Sequence, residues 1–452
     1  MKKSQEQRLF GTDGIRGRFG EGWLTLEAAS ALGRAIGIVI AGANRRAGRL
    51  ALLGHDGRRS GPGLEAALTR GLVDAGYGVT SAGLITTPGL ALLGRLKGFD
   101  LAVMISASHN PAEDNGIKVF GPSAQKLPDE LEDAIEDELR AHPEPIGAGP
   151  TPQLDPALES AYLAHLMGAA AELKLDGLCI VIDCANGGGS RVAPRILGRL
   201  GAHVIALASA PDGDNINQAC GSTNPAGLQE AVRLHSADLG IALDGDGDRC
   251  ILVDEQGTLV NGDAILTLLA RDRVQRGRLA DPRIVATVMS NRGLHRALRE
   301  VGVQVVTVGV GDRRVVDALR REGLDLGGEQ SGHVVFGAEN DYVGDGIYTA
   351  LRVLQVLSER RAKLSELARA FRAFPQVLIN VPVARKPSLS EMPHVQDEIR
   401  RIETGLGEDG RVLLRYSGTE PLARVMVEGP DEETIRRSAQ ELATCIAREL
   451  GS

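Results

Sequence analysis

Three aspartates alternate with glycines in the segment Asp244-Gly-Asp246-Gly-Asp248, and Arg249 follows them. In extended backbone the residues i, i+2 and i+4 point the same way, so the three carboxylates converge. Converging negative charges repel unless a cation joins them, and hard oxygen ligands select Mg²⁺ or Ca²⁺. The spacing therefore predicts a metal site, and a solvated acidic turn is the alternative interpretation.

The same segment partly matches a Ca²⁺-binding loop, because Glu255 stands at the twelfth position counted from Asp244. The match fails at the sixth position, where Arg249 replaces the glycine that makes the turn. The flanking segments 239–243 and 251–253 also have the pattern of strands instead of helices. A Ca²⁺-binding module is therefore an alternative that the sequence disfavours.

A second polar loop, Ser106-Ala-Ser108-His109-Asn-Pro111, begins where an apolar strand predicted over 100–105 ends, and Asp-Asn-Gly-Ile-Lys118 follows it. Ligands of α/β sheets bind beyond the carboxyl ends of strands, so the hydroxyl of Ser108 is well placed to react. A GxSxG elbow is missing, which argues against an ordinary serine hydrolase. A serine-rich turn that ends at Asn-Pro is the non-catalytic interpretation.

Two further loops combine glycines with polar side chains. The segment 327–333 reads Gly-Gly-Glu-Gln-Ser-Gly-His, which could bind sugar hydroxyls or could be a turn with a capping carboxylate. The segment 415–421 reads Arg-Tyr-Ser-Gly-Thr-Glu-Pro, and Arg424 follows it. Two guanidinium groups, two hydroxyls and exposed backbone amides suit a phosphate dianion, whereas a tight turn with two solvated arginines is the alternative. The Walker sequence GxxxxGK[ST] is missing, which disfavours a nucleotide-driven kinase.

The elements that must position these loops repeat the same alternation of strand and helix three times. The predicted strands cover 50–54, 78–82 and 100–105, then 178–183, 203–207 and 239–243, then 284–289, 303–308 and a strand near Leu324. The predicted helices between them cover 63–75, 88–97, 192–200, 228–236, 292–301 and 312–322. Such alternation favours α/β domains with largely parallel sheets covered on both faces.

The last part of the chain breaks this alternation. Strands predicted over 377–383, 411–415 and 423–428, with helices over 395–406 and 432–450, indicate a smaller α+β domain. A proline-rich stretch at 143–156 and weaker breaks at 256–263 and 373–376 divide the chain. The predicted domains are therefore 1–153, 154–256, 257–373 and 374–452.

Composition limits the classes of function. The chain has 452 residues, 43% of them hydrophobic, and 51 basic against 59 acidic residues give a net charge of −8. These values fit a soluble globular protein and offer no electrostatic footprint for nucleic acid or an anionic membrane surface. Five scattered cysteines without CxxC spacing indicate neither a disulfide framework nor a zinc site. The most apolar stretch, 35–43, is too short to span a bilayer. We therefore expect a cytoplasmic protein, a monomer or homodimer, with no nucleic-acid or membrane partner.

The motifs together carry a family resemblance. The opening FGTDGIRG at 10–17 and the loops at 106–111, 244–249, 329–333 and 415–421 occur in the order and spacing of the α-D-phosphohexomutase family, over essentially the whole chain. The resemblance implies three similar mixed α/β-sheet domains plus a smaller C-terminal α+β domain around a central cleft. One departure lies at 54–58, where Gly-His-Asp-Gly-Arg stands for the family's Gly-x-Asp-Thr-Arg; Asn224 and Arg314 are two others.

The resemblance also implies roles for individual residues. The catalytic phosphoserine falls on Ser108, and the Mg²⁺ ligands fall on Asp244, Asp246 and Asp248, with the phosphoserine as fourth partner. The residues that match groups close to the transferring phosphoryl group are Arg16, His109, Lys118 and Arg249. The sugar-binding residues are Glu329, Ser331 and His333, and the phosphate-binding residues are Arg415, Ser417, Gly418, Thr419 and Arg424. Lys118 and His333 are both candidates for the general base.

Within the family, the FGTDGIRG opening, ISASHNP followed by DNGIK, GEQSGH and the CGST at 220–223 resemble the members that act on hexosamine phosphates. This implies conversion of glucosamine 6-phosphate to glucosamine 1-phosphate through glucosamine 1,6-bisphosphate, with a product that feeds UDP-N-acetylglucosamine synthesis. The same machinery acting on mannose or glucose phosphates is one alternative. A metal-dependent sugar phosphatase, in which water intercepts the phosphoserine, is another.

Overall fold

A computed structural model of the chain describes residues 8–11, 13–43, 48–147, 149–417 and 421–451. Its contacts divide the chain into two compact units. The first unit runs to Met289 and resumes over Val306–Ala368, and the second unit consists of Ser290–Val305 together with the chain from Arg369. The four domain ranges predicted from the sequence stay predictions.

The first unit begins with a mixed sheet of six strands in the order β1-β5-β4-β2-β3-β6. Its strands are β1 (Ile15–Arg18), β2 (Leu50–His55), β3 (Gly78–Leu84), β4 (Leu101–Ile105), β5 (Asp114–Phe120) and β6 (Gln153–Leu154). Its helices are α1 (Leu26–Ala43), α2 (Gly61–Asp74), α3 (Thr87–Leu96) and α4 (Asp129–Ala141). Strand β2 pairs in parallel with β3 and β4, whereas β5 runs antiparallel between β4 and β1. Leucine, isoleucine and valine side chains from the sheet, α1 and α2 form its core.

A second sheet repeats the arrangement in the order β11-β10-β9-β7-β8. Its strands are β7 (Cys179–Asp183), β8 (His203–Leu207), β9 (Leu239–Leu243), β10 (Cys250–Asp254) and β11 (Leu259–Val260), and the associated helices are α5 (Ala157–Ala169), α6 (Val192–Arg199) and α7 (Ala226–Leu234). Strand β7 is parallel to both β8 and β9, and β10 turns back antiparallel to β9.

A third, smaller sheet has the order β13-β12-β14-β15. Its strands are β12 (Arg283–Thr287), β13 (Gln304–Val308), β14 (Leu326–Gly328) and β15 (Val334–Phe336), with helices α8 (Gly262–Gln275), α10 (Asp312–Glu322), α11 (Gly346–Arg360) and α12 (Leu364–Ala368). Helix α9 (Arg292–Arg299) falls within the second unit. Strand β14 is parallel to β12 and antiparallel to β15. The strands predicted from the alternation pair in parallel, as β2 does with β3 and β4, β7 with β8 and β9, and β12 with β14. Antiparallel strands complete each sheet, so the sheets are mixed, as the resemblance implies.

Each of the three chemically interesting loops of the first unit joins two neighbouring antiparallel strands. The serine loop lies between β4 and β5, the aspartate loop between β9 and β10, and the Glu329 loop between β14 and β15. Strands β5 and β15 were not predicted from the sequence. Both ends of each loop are consequently held by sheet hydrogen bonds, which fixes the backbone from which the polar side chains project.

Helix α1 is, among the described residues, the one helix long and apolar enough to cross a membrane by length and composition. The apolar stretch 35–43, which by itself is too short to span a bilayer, is the second half of this helix. Half of its most apolar window is buried within the protein, and Leu32, Ile36 and Ile40 belong to the core of the first sheet. These contacts are those of a core helix.

The second unit contains a three-stranded antiparallel sheet in the order β16-β18-β17. Its strands are β16 (Gln376–Pro382), β17 (Arg411–Tyr416) and β18 (Leu422–Glu428), and its long helices are α13 (Pro393–Leu406) and α14 (Glu432–Leu450). Helix α14 begins at the side-chain cap of Asp431, which accepts from the Thr434 amide, and its apolar face packs on the sheet. This is the small α+β domain that the sequence predicts.

Candidate active site

Ser108 lies just beyond the carboxyl end of β4 and is almost completely buried, with 1% of its surface exposed. Its φ of +53° is in the left-handed region that residues other than glycine rarely adopt. Its Oγ donates a hydrogen bond of 2.7 Å to Oδ2 of Asp244 and lies 3.3 Å from Nδ1 of His109. The structure thus brings the predicted nucleophile to the predicted metal loop across 136 residues of sequence.

A buried ion pair fixes the backbone of the serine loop. Arg58 and Asp56 are fully buried, and Arg58 Nε donates to Asp56 Oδ2 over 2.9 Å. The same guanidinium donates to the carbonyl oxygens of Ser108 (3.0 Å) and Asn110 (2.8 Å). Asp56 in turn accepts from Ser106 Oγ, which accepts from the Ser108 amide. The segment 54–58, noted in the sequence only for its departure from the family pattern, therefore shapes the loop that carries Ser108.

The three aspartates of the aspartate loop are buried together. One oxygen from each of Asp244, Asp246 and Asp248 lies within 4.8 Å of the others. Oδ1 of Asp246 and Oδ1 of Asp248 are buried and have no hydrogen-bond partner among the described residues. Buried carboxylate oxygens without donors are costly, and converging hard oxygen donors are what a divalent cation requires. The triad therefore fits a metal ion such as Mg²⁺.

Electrostatics at the triad follow from burial and crowding. Burial, reinforced by the negative charges of Asp248 and Asp246, raises the pKa of Asp244 well above its usual range. Burial alone would also raise the pKa of Asp246, but the ammonium of Lys118 lowers it below the usual range. A cation bound to the three carboxylates would favour their charged forms.

Gly245 brings the backbone of the aspartate loop against the backbone of the serine loop. A Cβ atom at Gly245 would lie 2.5 Å from the carbonyl oxygen of Ser108. The glycine is therefore required because the aspartate loop packs directly against the serine loop.

Lys118 lies on β5 and is 1% exposed. Its Nζ is 2.7 Å from Asp246 Oδ2 and 2.9 Å from Asp13 Oδ2. Burial alone would lower the pKa of Lys118, but the charges of Asp13 and Asp246 raise it far above its usual value. Asp13 also forms an ion pair with Arg16, so the N-terminal motif brings Arg16 to the same cluster.

Gly14 explains how the FGTDGIRG segment approaches Lys118 so closely. Its φ is +82°, and a Cβ atom there would lie 2.4 Å from the carbonyl oxygen of Ile117. Strand β1 then pairs with β5, with Arg16 opposite Gly116. The glycine thus allows Asp13 and Arg16 to reach the strand that carries Lys118.

Three more predicted residues surround the triad. Nε of Arg249 lies 3.9 Å from both Asp244 Oδ2 and Asp248 Oδ1. Nδ1 of His333 lies 3.6 Å from Asp248 Oδ1, and although burial alone would lower its pKa, Asp248 raises the pKa of His333 to about 9. Burial, with the charges of Arg249 and Arg16, lowers the pKa of His109 to about 4, so this imidazole is neutral.

The Glu329 loop lies beside the aspartate loop. The Gly332 carbonyl accepts from the Cys250 amide over 3.0 Å, which ties this loop to the first residue of β10. Glu329 Oε1 accepts from the Gly311 amide over 3.1 Å, and Ser331 Oγ lies 3.5 Å from Glu329 Oε2. A cavity of about 380 Å³ borders the cluster, and its lining includes Lys118, Asp248 and His333.

The predicted phosphate loop belongs to the second unit and is described by itself. In the register of the sheet, Arg415 on β17 lies opposite Arg424 on β18, so both arginines are at the same level of the sheet. Ser417 is buried, and its carbonyl oxygen accepts from Lys386 Nζ over 2.6 Å. Gly418 and Thr419 lie outside the described residues.

Several residues of the cluster were not identified from the sequence. Asp13, Asp56 and Arg58 reach Lys118, Ser106 and Ser108 through contacts that span 50 residues of sequence or more, so no local spacing reveals these contacts. Thr87 is another, since its backbone amide donates to the Asp246 carbonyl over 2.8 Å and its hydroxyl donates to the Asp246 carboxylate. Asp13 lies in the segment 10–17, and Asp56 and Arg58 lie in the segment 54–58. Both segments were noted in the sequence only because they resemble family motifs.

Comparison with family models gives four matches along the chain. They are the alpha/beta/alpha domains I, II and III and the C-terminal domain of phosphoglucomutase/phosphomannomutase, at residues 7–145, 160–257, 261–374 and 378–444. The matches cover most of the sequence and follow the order of the four loops.

Comparison with individual proteins agrees. A phosphoglucosamine mutase of Symbiobacterium thermophilum is 48% identical over 450 residues (98% of this chain, 99% of that protein), and one of Rhodococcus opacus is 48% identical over 445 residues (97% and 99%). A crystal structure of a phosphoglucomutase/phosphomannomutase family protein from Burkholderia thailandensis matches with a TM-score of 0.78 at 26% identity, covering 97% of both chains. The fold also matches, with a TM-score of 0.63 at 19% identity over 98% of this chain and 96% of the other, Aspergillus fumigatus N-acetylphosphoglucosamine mutase in complex with GlcNAc-6P and magnesium. The chain belongs to the phosphoglucomutase/phosphomannomutase family.

Proposed function

We propose that this protein is a phosphoglucosamine mutase, which interconverts glucosamine 6-phosphate and glucosamine 1-phosphate. The observation that carries the proposal is the hydrogen bond from Ser108 Oγ to Asp244 within the buried acidic triad. It joins a hydroxyl that can carry a phosphoryl group to carboxylates that can hold a cation. The names of relatives at 48% identity over nearly the whole chain support the amino-sugar substrate.

The reaction uses phosphorylated Ser108 as the donor. The sugar O1 or O6 attacks phosphorus, the bond from phosphorus to Ser108 Oγ breaks, and glucosamine 1,6-bisphosphate forms. The sugar then turns over, and Ser108 Oγ attacks the other phosphoryl group, which regenerates the phosphoenzyme and releases the isomeric monophosphate. No net phosphate is consumed or released.

The positive side chains around Ser108 stabilise the charge on the transferring group. Lys118 and Arg249 contact carboxylates of the triad beside Ser108, and Arg16 pairs with Asp13, which also contacts Lys118. We therefore assign these three cations to the oxygens of the transferring phosphoryl group. Phosphoryl transfer depends mainly on positioning and charge stabilisation, which such fixed cations supply. His109, neutral and 3.3 Å from Ser108 Oγ, orients the hydroxyl.

We assign Asp244, Asp246 and Asp248, together with an oxygen of phosphorylated Ser108, as the residues that hold Mg²⁺. The fit rests on the two buried carboxylate oxygens that lack a hydrogen-bond partner among the described residues. Bound Mg²⁺ neutralises negative charge on the phosphoryl group.

Substrate binding is assigned to two loops. Glu329, Ser331 and His333 bind the sugar hydroxyls, and Arg415, Ser417, Gly418, Thr419 and Arg424 bind the phosphate that is not reacting. The phosphate site must accept the substrate in two orientations, because the 1-phosphate and the 6-phosphate occupy it in turn.

The proton of the attacking sugar hydroxyl must pass to a general base, for which Lys118 and His333 are the two candidates. Neighbouring carboxylates raise the pKa of both groups, so whichever acts as the base has to lose its own proton first. Both side chains contact the acidic triad, through Asp246 and Asp248 respectively. Comparing single-turnover phosphoryl transfer in Lys118→Met and His333→Ala distinguishes them: loss of the base slows transfer from phosphorylated Ser108 while leaving Mg²⁺ binding measurable.

The decisive test compares two serines of the same loop. Ser108→Ala must lose both mutase turnover and phosphorylation by glucosamine 1,6-bisphosphate, measured by intact mass and peptide mapping. Ser106→Ala is the matched control, because its hydroxyl contacts Asp56 instead of the triad, and it must still accept a phosphoryl group on Ser108. A folded, metal-loaded Ser108→Ala that isomerises the sugar at the wild-type rate disproves the proposal.

The family-model descriptions favour a second candidate, action on glucose or mannose phosphates. Comparing kcat/KM for glucosamine, glucose and mannose 6-phosphates separates the two, and a strong preference for a neutral sugar overturns the amino-sugar assignment. Release of inorganic phosphate in step with loss of substrate would instead indicate a phosphatase. We further propose that the protein is cytoplasmic and that it is a monomer or homodimer. Light scattering of the purified protein tests the oligomeric state.

A further inference from the structure

A line of alternating acidic and basic side chains connects the aspartate triad to the Glu329 loop. Asp13 bridges two lysines: its Oδ2 lies 2.9 Å from Lys118 Nζ, and its Oδ1 forms an ion pair with Lys126. Lys126 also forms an ion pair with Asp312. The side chains of Asp13, Lys126 and Asp312 are only 14–22% exposed, so water screens these pairs weakly.

The two ends of this line reach different parts of the site. At one end, Lys118 Nζ is 2.7 Å from Asp246 of the metal loop. At the other end, Asp312 is the first residue of α10, and the amide of the preceding Gly311 donates to Glu329 Oε1 of the sugar loop. Lys126 thus lies between the serine and aspartate loops on one side and the Glu329 loop on the other.

One ammonium group neutralises two carboxylates at this point. Asp13 and Asp312 contact the same Lys126 Nζ, so without it two mostly buried negative charges face each other. Their repulsion would move Asp13 away from its contact with Lys118, and α10 away from the sugar loop. We propose that Lys126 is a positioning residue that sets the distance between the transferring phosphoryl group and the sugar. The inference rests on the proposed function and extends it beyond the residues that touch substrate.

The neighbouring Arg313 provides a matched control. Like Asp312, Arg313 lies on α10, and its guanidinium contacts Asp129 and Glu132 in the first turn of α4 and the Leu127 carbonyl just before it. These partners do not contact Lys118 or Asp246 in the part of the chain that the structure describes. Arg313→Met therefore removes ion pairs between α10 and the neighbouring α4 without breaking the line from Asp246 to Glu329.

The experiment measures kcat and KM for glucosamine 6-phosphate in Lys126→Met, Lys126→Arg and Arg313→Met. We expect Lys126→Met to lower kcat about 10- to 100-fold with KM within about 3-fold, because displacement without loss of a substrate contact slows the chemical step. Lys126→Arg restores kcat to within about 3-fold of wild type, and Arg313→Met keeps at least about half.

Equal losses in Lys126→Met and Arg313→Met, or an unchanged kcat in Lys126→Met, would overturn the inference. If Lys126→Met does not fold, Asp312→Asn carries the test, because it keeps Lys126 and its contact with Asp13 while it weakens the contact toward the Glu329 loop. It must then lower kcat more than Arg313→Met does. An inactive wild-type protein would contradict the proposed function, whereas an active wild type with these variants equally active would contradict only the role of Lys126.

Discussion

Replacing Arg58 with methionine tests how strongly the serine loop depends on one buried guanidinium. Arg58 and its partner Asp56 are both 0% exposed, and the ion pair is 2.9 Å long. After the replacement, Asp56 keeps the Ser106 hydroxyl as a donor but loses its neutralising charge. Removing one partner of a buried pair typically costs about 3–5 kcal/mol, because a buried charge is left uncompensated.

Most of the carbonyl oxygens that Arg58 also contacts keep another donor. The Ser108 and Asn110 carbonyls keep the Asn217 side-chain amide, at 2.9 and 3.0 Å. Arg58 further donates to the carbonyls of Pro111 and Asp114, of which Pro111 keeps the Asp114 amide and Asp114 loses a 2.9 Å hydrogen bond. We therefore expect Arg58→Met to lower the free energy of unfolding by about 3–5 kcal/mol, with the loss arising mainly at Asp56.

The next residue in the sequence supplies the control. Arg59 is 72% exposed and pairs with Asp214, which is 59% exposed. Water screens such surface pairs, so Arg59→Met should leave the free energy of unfolding nearly unchanged. Urea unfolding can be followed by the fluorescence of Trp23, the only tryptophan, which packs against the core of the first sheet.

The pH dependence identifies Asp56 as the source of the loss. Burial already raises the pKa of Asp56 in the presence of Arg58, and removal of the arginine raises it further. The folded variant then binds more protons at this site than the unfolded chain, so its stability falls as pH rises. The deficit relative to wild type should be smaller at pH 5 than at pH 8. Losses for Arg58→Met and Arg59→Met within about 1 kcal/mol of each other would refute the reasoning.

Three other perturbations have defined outcomes. Chelation by EDTA should abolish mutase turnover and added Mg²⁺ should restore it, and Asp248→Asn should raise the Mg²⁺ concentration for half-maximal turnover, or else the triad is not the metal site. Gly14→Ala should cost about 1–3 kcal/mol in urea unfolding and lower kcat, because Gly14 has a φ of +82° and lies against the strand of Lys118; unchanged values would show that the segment adapts. Glu428→Gln should lower the melting temperature of the protein, since Glu428 is fully buried and pairs with Arg411 at 2.6 Å in the second unit, and calorimetry showing no shift would contradict this role.

The elements whose ends are marked by glycine or polar residues were predictable from the sequence. Helices predicted over 312–322 and 432–450 and strands predicted over 203–207 and 239–243 have the same bounds in the structure. In each case an apolar pattern of one period is bounded by glycine or polar residues, so local and tertiary preferences agree.

Strand β5 shows why other elements were missed. Its first residues, Asp114, Asn115 and Gly116, favour turns, yet the segment is extended because it pairs with β1 on one side and β4 on the other. Strand β15 was missed because Val334–Phe336 is too short for alternation to be recognised. Because β5 pairs with β1, which is distant in sequence, no local window contains the information that makes this segment extended.

The site divides in the same way. The Asp244–Asp248 triad was predictable because the three ligands are close in sequence and their spacing has a direct geometric meaning. Asp56, Lys126 and Asp312 gain their roles from contacts that span 50 to 186 residues of sequence. A single carboxylate or ammonium in a loop carries no signal until the fold supplies its partner.

The placement of the serine, aspartate and Glu329 loops of the first unit follows from one topological feature. Each loop joins neighbouring antiparallel strands, so register contacts close it at both ends: Ile105 opposite Ile117, Leu243 opposite Cys250, and Gly328 opposite Val334. A loop held at both ends loses little conformational entropy when it binds a charged ligand, so its donors and carboxylates are arranged before the ligand arrives. Phosphoryl transfer gains most from this arrangement, because its barrier is lowered chiefly by charges already in place. Buried charges between the loops, such as those of Arg58 and Lys126, then have to fix the distances from one loop to the next, which the strands alone do not determine.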